Sequence, residues 1–142
     1  CRNSLVYLAS PFKSEKAFQP YKGVPEWVWR ERATQTAIVT EWLLNNGIWV
    51  FSPIVYGMYI EETCGSHDSA WWLRRDFEFF NKCDVFAFLA LAGWEESPGV
   101  QKEIEWALTN GKTVFKLELE DGFFDEETTA SAEFHREILG RA

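Results

Sequence analysis

Two carboxylates stand out because each occupies a place that helical patterning gives to an apolar or border residue. Asp76 lies in "SAWWLRRDFEFFNKC", where Trp72, Leu73, Phe79, Phe80 and Cys83 all fall within about 60° of it on a helix of 100° per residue. A carboxylate centred on an apolar stripe must be paired, hydrogen-bonded or protonated, because a bare charge in a dry site is costly. A salt bridge to Arg74 or Arg75, or a bond to a backbone amide, is the plain structural alternative. Glu103 lies in "GWEESPGVQKEIEWA", whose core face reads Val100, Ile104, Ala107 and Leu108. It stands about 60° from Val100 and about 40° from Ala107, at the border of the buried face, whereas Glu105 stands about 140° from Val100 on the solvent side. Partial positive charge at the helix N-terminus favours an ionised Glu103, ready as a nucleophile near neutral pH; a merely favourable N-terminal charge is the simpler reading.

Two carboxylates projecting into one cleft are what cleavage of a glycosidic bond requires, one to attack or stabilise the sugar carbon and one to handle the proton. Ser97 and Gly99 precede Glu103, and a serine hydroxyl with free amides at a helix N-terminus forms an anion site suited to phosphate. A capping turn accounts for the same residues.

These side chains need elements to hold them. "SLVYLAS", Ser4 to Ser10, reads as a buried strand ended by Pro11, with a polar loop running to Gly23. Pro25 opens a helix to about Asn45, with Ala33, Ala37 and Leu44 on one face, Ile38 beside them and "NNG" as its stop. "IWVFSP" is a second strand, and the segment through "YGMYIEETCGSHDSA" reads as irregular and site-covering. A helix from about Trp71 to Lys82 follows, capped by Asp68 or Ser69, then a strand over Asp84 to Ala92. Gly99 to Asn110 is a helix terminated by Gly111, "KTVFKLELE" a fourth strand, and about Asp125 to Leu139 a last helix. The alternation predicts an α/β three-layer sandwich, a flavodoxin/Rossmann-like parallel sheet of four to five strands with helices on both faces. Sites in such sheets lie at the carboxyl ends of the strands.

The 142 residues suit a single domain, and a net charge of −8, from 22 acidic against 14 basic residues, opposes binding to a nucleic-acid polymer. Three cysteines without a CxxC pair argue against a disulfide framework and for a reducing cytoplasm, and Cys64 with His67 is too small a set to expect a metal. No apolar run reaches membrane-spanning length and no leader pattern is evident. Neither a cofactor nor a metal is expected. At an aromatic content of 17%, part of the aromatic surface is expected to line a pocket or a subunit interface, although filling the core is the simpler reading for each residue taken singly.

Three segments resemble, in order, the nucleoside 2-deoxyribosyltransferase superfamily, which includes N-glycosidases acting on nucleoside 5′-monophosphates. "YLASPF", Tyr7 to Phe12, is similar to the family's first strand and loop, with Ser10 where glycine is usual. "DFEFFNKCDVFAFL" resembles its helix-to-strand segment, in which an aspartate, here Asp76, stands eight residues before the one that opens the strand, here Asp84. "SPGVQKEIEWA" resembles its signature helix, and the match implies Glu103 as nucleophile. Serine six residues before that glutamate, here Ser97, is typical of the monophosphate glycosidases, whereas transferases acting on free nucleosides carry Asp. In place of the glycosidases' Gly-Ser-x-Arg-Gly loop this chain has "ASPFKSEKAFQ", where Lys13 or Ser14 would substitute.

The resemblance implies hydrolysis of a (deoxy)nucleoside 5′-monophosphate. Glu103 would act at C1′, Asp76 orient the sugar or carry the proton, and Tyr7 position the glutamate. Ser97 and Gly99 would hold phosphate, and Ser10, Pro11, Phe12 and Lys13 would form the strand-end binding loop. Base exchange by a deoxyribosyltransferase, and nucleotide binding without turnover, are the alternatives. A homodimer or higher homo-oligomer is expected from the family's shared sites.

Overall fold

Four apolar runs pair in parallel because strands buried on both faces satisfy their backbone only through neighbouring strands, with helices covering both sides. The computed structural model describes residues 4–12, 26–65, 67–119 and 131–140. Its elements are β1 (Leu5–Ala9), α1 (Glu26–Asn45), β2 (Trp49–Phe51), α2 (Pro53–Cys64), α3 (Ser69–Lys82), β3 (Val85–Leu89), α4 (Pro98–Thr109), β4 (Thr113–Leu117) and α5 (Ala132–Glu137). A 3-10 turn at Trp94–Glu96 precedes α4. The sheet order is β2-β1-β3-β4, all parallel, with Tyr7 opposite both Phe51 and Phe86. This is the expected α/β three-layer, Rossmann-like fold.

Strand alternation splits the core in two. Val6 and Leu8 pack with Val39, Trp42 and Leu43 of α1 and with Phe134, Ile138 and Leu139 at the C-terminal end. Tyr7 and Ala9 face the other way, against Phe80 and Cys83 of the α3 side and Val100 and Ala107 of α4. Asp84 ties the start of β3 to β1, its Oδ2 accepting from the Leu5 amide at 3.1 Å. The helix terminators are as expected: Gly47 and Gly111 take φ of 78° and 67°, a left-handed conformation that glycine adopts without a Cβ penalty.

Two expectations are corrected. The segment after Pro53 is not irregular but the helix α2, with Ser52 as N-cap accepting from the Val55 amide at 3.2 Å and Pro53 in its first turn. Gly57 and the aromatic and β-branched residues around it are weak helix formers, and tertiary contact overrides them. A Cβ on Gly57 would stand 3.1 Å from Cη2 of Trp72, so glycine lets α2 lie directly on α3. In α1 the buried stripe is Val28, Arg32, Ala33, Thr36, Val39, Thr40 and Leu43. Ala37 is exposed, as are Ile38 and Leu44. Polar side chains at Arg32, Thr36 and Thr40 hid that face from an apolar count.

The strands are shorter at their ends than the apolar runs suggest. Of the last expected helix, Ala132–Glu137 is seen, and residues 125–130 lie outside the described ones. No helix among the described residues is long and apolar enough to cross a membrane.

Candidate active site

Connectivity brings the chemistry to one edge. Because α3 ends just before β3 begins and α4 starts just after it ends, the N-terminal halves of both helices lie toward the carboxyl edge of the sheet. β1 and β3 are adjacent there, and the chain leaves them toward opposite faces, which makes their junction the topological switch point.

Tyr7, Asp76 and Glu103 converge between the sheet and the α3/α4 layer. All three are buried, Asp76 at 4% and Glu103 at 6% exposure. The Tyr7 hydroxyl donates a short hydrogen bond to Oε2 of Glu103. The Tyr7 ring is held by Phe51, Phe80 and Phe86, with centroids 5.7, 5.5 and 5.9 Å away. Asp76 makes no ion pair with Arg74 or Arg75 among the described residues; Arg75 donates to the Trp71 carbonyl and lies over the Trp71 ring at 3.8 Å. Asp76 Oδ1 is buried with no hydrogen-bond partner among the described residues.

Burial dominates the electrostatics. Glu103 is raised from 4.5 to about 8, mainly by desolvation and further by the nearby Asp76 charge, while the Tyr7 hydrogen bond pulls it down. Asp76 is raised from 3.8 to about 7 by desolvation. Tyr7 is pushed well above its ordinary value by burial, then by the charges of Glu103 and Asp76. The expectation that the helix N-terminus keeps Glu103 ionised is overturned. Glu103 lies beyond the first turn from the N-cap Ser97, and the terminal field fades within that turn. Its position also differs from the border assigned by patterning: Val100, Glu103 and Ala107 form the buried stripe, while Leu108 is exposed.

Ser97 caps α4, its Oγ accepting from the Val100 amide at 3.4 Å, and is 5% exposed. Its hydroxyl hydrogen is a separate donor, so capping does not use up the side chain. Gly99 is half-buried in the first turn, with nothing within 4 Å of where a Cβ would stand. Ser10 and Pro11 are buried at the end of β1, and Ser10 Oγ is hydrogen-bonded to Thr36 Oγ1 at 3.1 Å. Phe12 stands edge-on to Trp29, centroids 5.4 Å apart. Lys13 and Ser14 lie outside the described residues. Cys64 ends α2 exposed, and His67 stacks on Trp71 at 3.7 Å.

The profile described as Domain of unknown function (DUF1937) matches residues 4–119. The chain belongs to the DUF1937 family. The matched span runs from β1 through β4, so Tyr7, Asp76 and Glu103 all belong to the DUF1937 domain. No curated protein matches the chain.

Two residues near the candidate site of this DUF1937 domain, each with a buried polar group, were not singled out by the sequence. Arg32, 5% exposed, donates from Nη1 to the Phe12 carbonyl at 2.8 Å and from Nη2 to the Ala92 carbonyl at 3.0 Å. Its periodic spacing with Thr36, Val39 and Leu43 was the available signal. Trp72 stands one turn before Asp76 on α3, and its Nε1 is likewise buried with no hydrogen-bond partner among the described residues.

A surface groove of about 450 Å³, lined by Phe12, Glu26, Trp29, Arg30, Met58, Glu61 and Glu62, excludes the carboxylate pair. Arg30 there is already bonded to Glu26 at 2.8 Å and to Glu62 at 2.9 Å. Unpaired buried groups, not satisfied surface pairs, are what a ligand completes. Asp76 and Glu103 are therefore the candidate site.

Proposed function

We propose that this DUF1937 domain hydrolyses the N-glycosidic bond of a (deoxy)nucleoside 5′-monophosphate, as a relative of the nucleoside 2-deoxyribosyltransferase superfamily. The observation that carries the reading is the convergence of two buried carboxyls from different helices, Glu103 held by Tyr7 and Asp76 with one oxygen unpartnered among the described residues. With one proton shared by the pair and held mainly on Glu103, the reactive form is the minor one in which that proton sits on Asp76: the ionised Glu103 oxygen attacks C1′ as the bond to the base nitrogen breaks, and the departing electron pair takes the proton from Asp76. Water activated by Asp76 then opens the glycosyl ester, giving the sugar 5-phosphate and restoring both carboxyls. Ser97 and the Gly99 amide receive the phosphate, and the segment Ser10–Phe12 borders the sugar and base. The enzyme is cytoplasmic and a homo-oligomer in this reading, with free Cys64 and Cys83 and exposed Trp49, Tyr56 and Tyr59 in its support.

The carboxyl pair titrates as a unit, with values of about 7 and about 8. Below the lower value both groups are protonated and no nucleophile exists; above the higher value both are ionised and no acid remains. The kcat/KM profile is expected to be a bell with its maximum between these values, measured as base release across pH 5 to 10 in steps of about half a unit. A plateau extending down to pH 5 would remove the burial argument.

Incubation with a panel of ribo- and deoxynucleoside 5′-monophosphates, beside the matching nucleosides, tests the substrate. Free base is expected from the monophosphates, and addition of a second base separates hydrolysis from transfer. Ser97→Ala is expected to raise KM for a monophosphate by about 10-fold, the loss of one hydrogen bond to a charged group, and to lower stability by about 1 kcal/mol through the lost cap. Equal KM values in the two proteins would take phosphate away from Ser97.

A further inference from the structure

A guanidinium on the core face of α1 needs a reason, because the same stripe is filled at Val39 and Leu43 by apolar side chains. Burying a charge there is costly, and burial depresses the Arg32 pKa. Two of its bonds within the described residues are informative. Both of these acceptors are backbone carbonyls, and they belong to the segments that leave β1 and β3. The Phe12 carbonyl accepts at 2.8 Å and the Ala92 carbonyl at 3.0 Å, residues distant in sequence that flank the switch point. One turn on, Thr36 donates to the Arg32 carbonyl at 2.7 Å and meets the Ser10 hydroxyl, adding a second attachment to the β1 loop. A planar guanidinium spans two acceptors in a fixed fork, which an ammonium cannot reproduce.

We propose that Arg32 is a positioning residue that clasps the β1 and β3 loops together and so sets the mouth through which the glycosidase reads its substrate. The loop after β1 carries Phe12, and the loop after β3 runs through the 3-10 turn to Ser97, so one side chain fixes the spacing between the base side and the phosphate side of the site. The catalytic carboxyls reside on α3 and α4, away from the two carbonyls that Arg32 bridges, so the clasp acts on binding rather than on the chemical step. This last point rests on the proposed glycosidase activity; the clasp itself does not.

The test compares the parent with Arg32→Met and Arg32→Lys by backbone hydrogen exchange in the free protein and by steady-state base release. Faster exchange is expected in both loops together, at residues 10–12 and 90–94, with exchange in β1 and β3 unchanged. KM is expected to rise about 10-fold or more in Arg32→Met and by less in Arg32→Lys, with kcat within about 3-fold of the parent. A residue serving stability alone would reduce the active fraction and leave KM as it was. Unchanged exchange in either loop overturns the clasp, as does loosening of both loops with an unaltered KM. Should the parent release no base from any monophosphate, the glycosidase reading fails, and loop exchange alone decides for or against the clasp. If Arg32→Met does not fold, Arg32→Lys supplies both readouts.

Discussion

Glu103→Gln is expected to fold and to bind nucleotide, yet to release base at least about 10³-fold more slowly than the parent. Gln is close in shape, and its carbonyl can still accept the Tyr7 hydrogen bond that now goes to Oε2. What it lacks is a carboxylate oxygen to form or stabilise the bond at C1′. Glu105→Gln is the matched control, since that side chain is exposed on the same helix and is expected to leave the rate unchanged. The contrast separates chemistry at Glu103 from a general effect of removing charge from α4.

The second large effect is on stability, and its sign is opposite to that of an ordinary surface carboxylate. Glu103 is raised on folding from 4.5 to about 8, so between these values the folded chain holds a proton that the unfolded chain has released. Its stabilising contribution is fully present below about pH 4.5 and is lost as pH rises through about 8. At roughly 1.4 kcal/mol per pH unit, the loss is on the order of 3 to 5 kcal/mol across the window. Asp76, raised from 3.8 to about 7, has the same sign. In Glu103→Gln that part of the loss is absent, so urea unfolding at pH 5, 7 and 9 is expected to show the variant gaining on the parent as pH rises. Because the chain already carries a net charge of −8, self-repulsion also grows with pH, and the difference between the two proteins isolates the buried group. A difference independent of pH would mean that Glu103 is ionised throughout.

The same burial explains which parts of the molecule were legible beforehand. β1 and β3 are apolar on both faces, and such runs can hardly be anything but central parallel strands, so the sheet was readable from composition. Asp76 was legible because a carboxylate on a stripe of Trp, Leu and Phe is a contradiction that only a site or a partner resolves. α1 was harder, since its core face carries Arg32, Thr36 and Thr40, whose partners come from loops distant in sequence. A polar residue on a buried face cannot be told from one on a solvated face until those partners are known. α2 was missed because Gly57 and its aromatic neighbours argue locally against a helix that contact with Trp72 makes favourable. The ionisation of Glu103 was misjudged for a related reason. Helix-end charge is a local quantity, while desolvation by Tyr7 and the phenylalanines around it arises only after folding.

The most direct measurement is chromatographic detection of free base after incubating nucleoside 5′-monophosphates with the parent, Glu103→Gln and Glu105→Gln at pH 7.5, between the pair's two values. Base and sugar 5-phosphate in equal amounts are expected from the parent and from Glu105→Gln, with none above the enzyme-free control from Glu103→Gln. Release of base by Glu103→Gln at the parent's rate, or by none of the three from any monophosphate, would contradict a glycosidase built on Glu103.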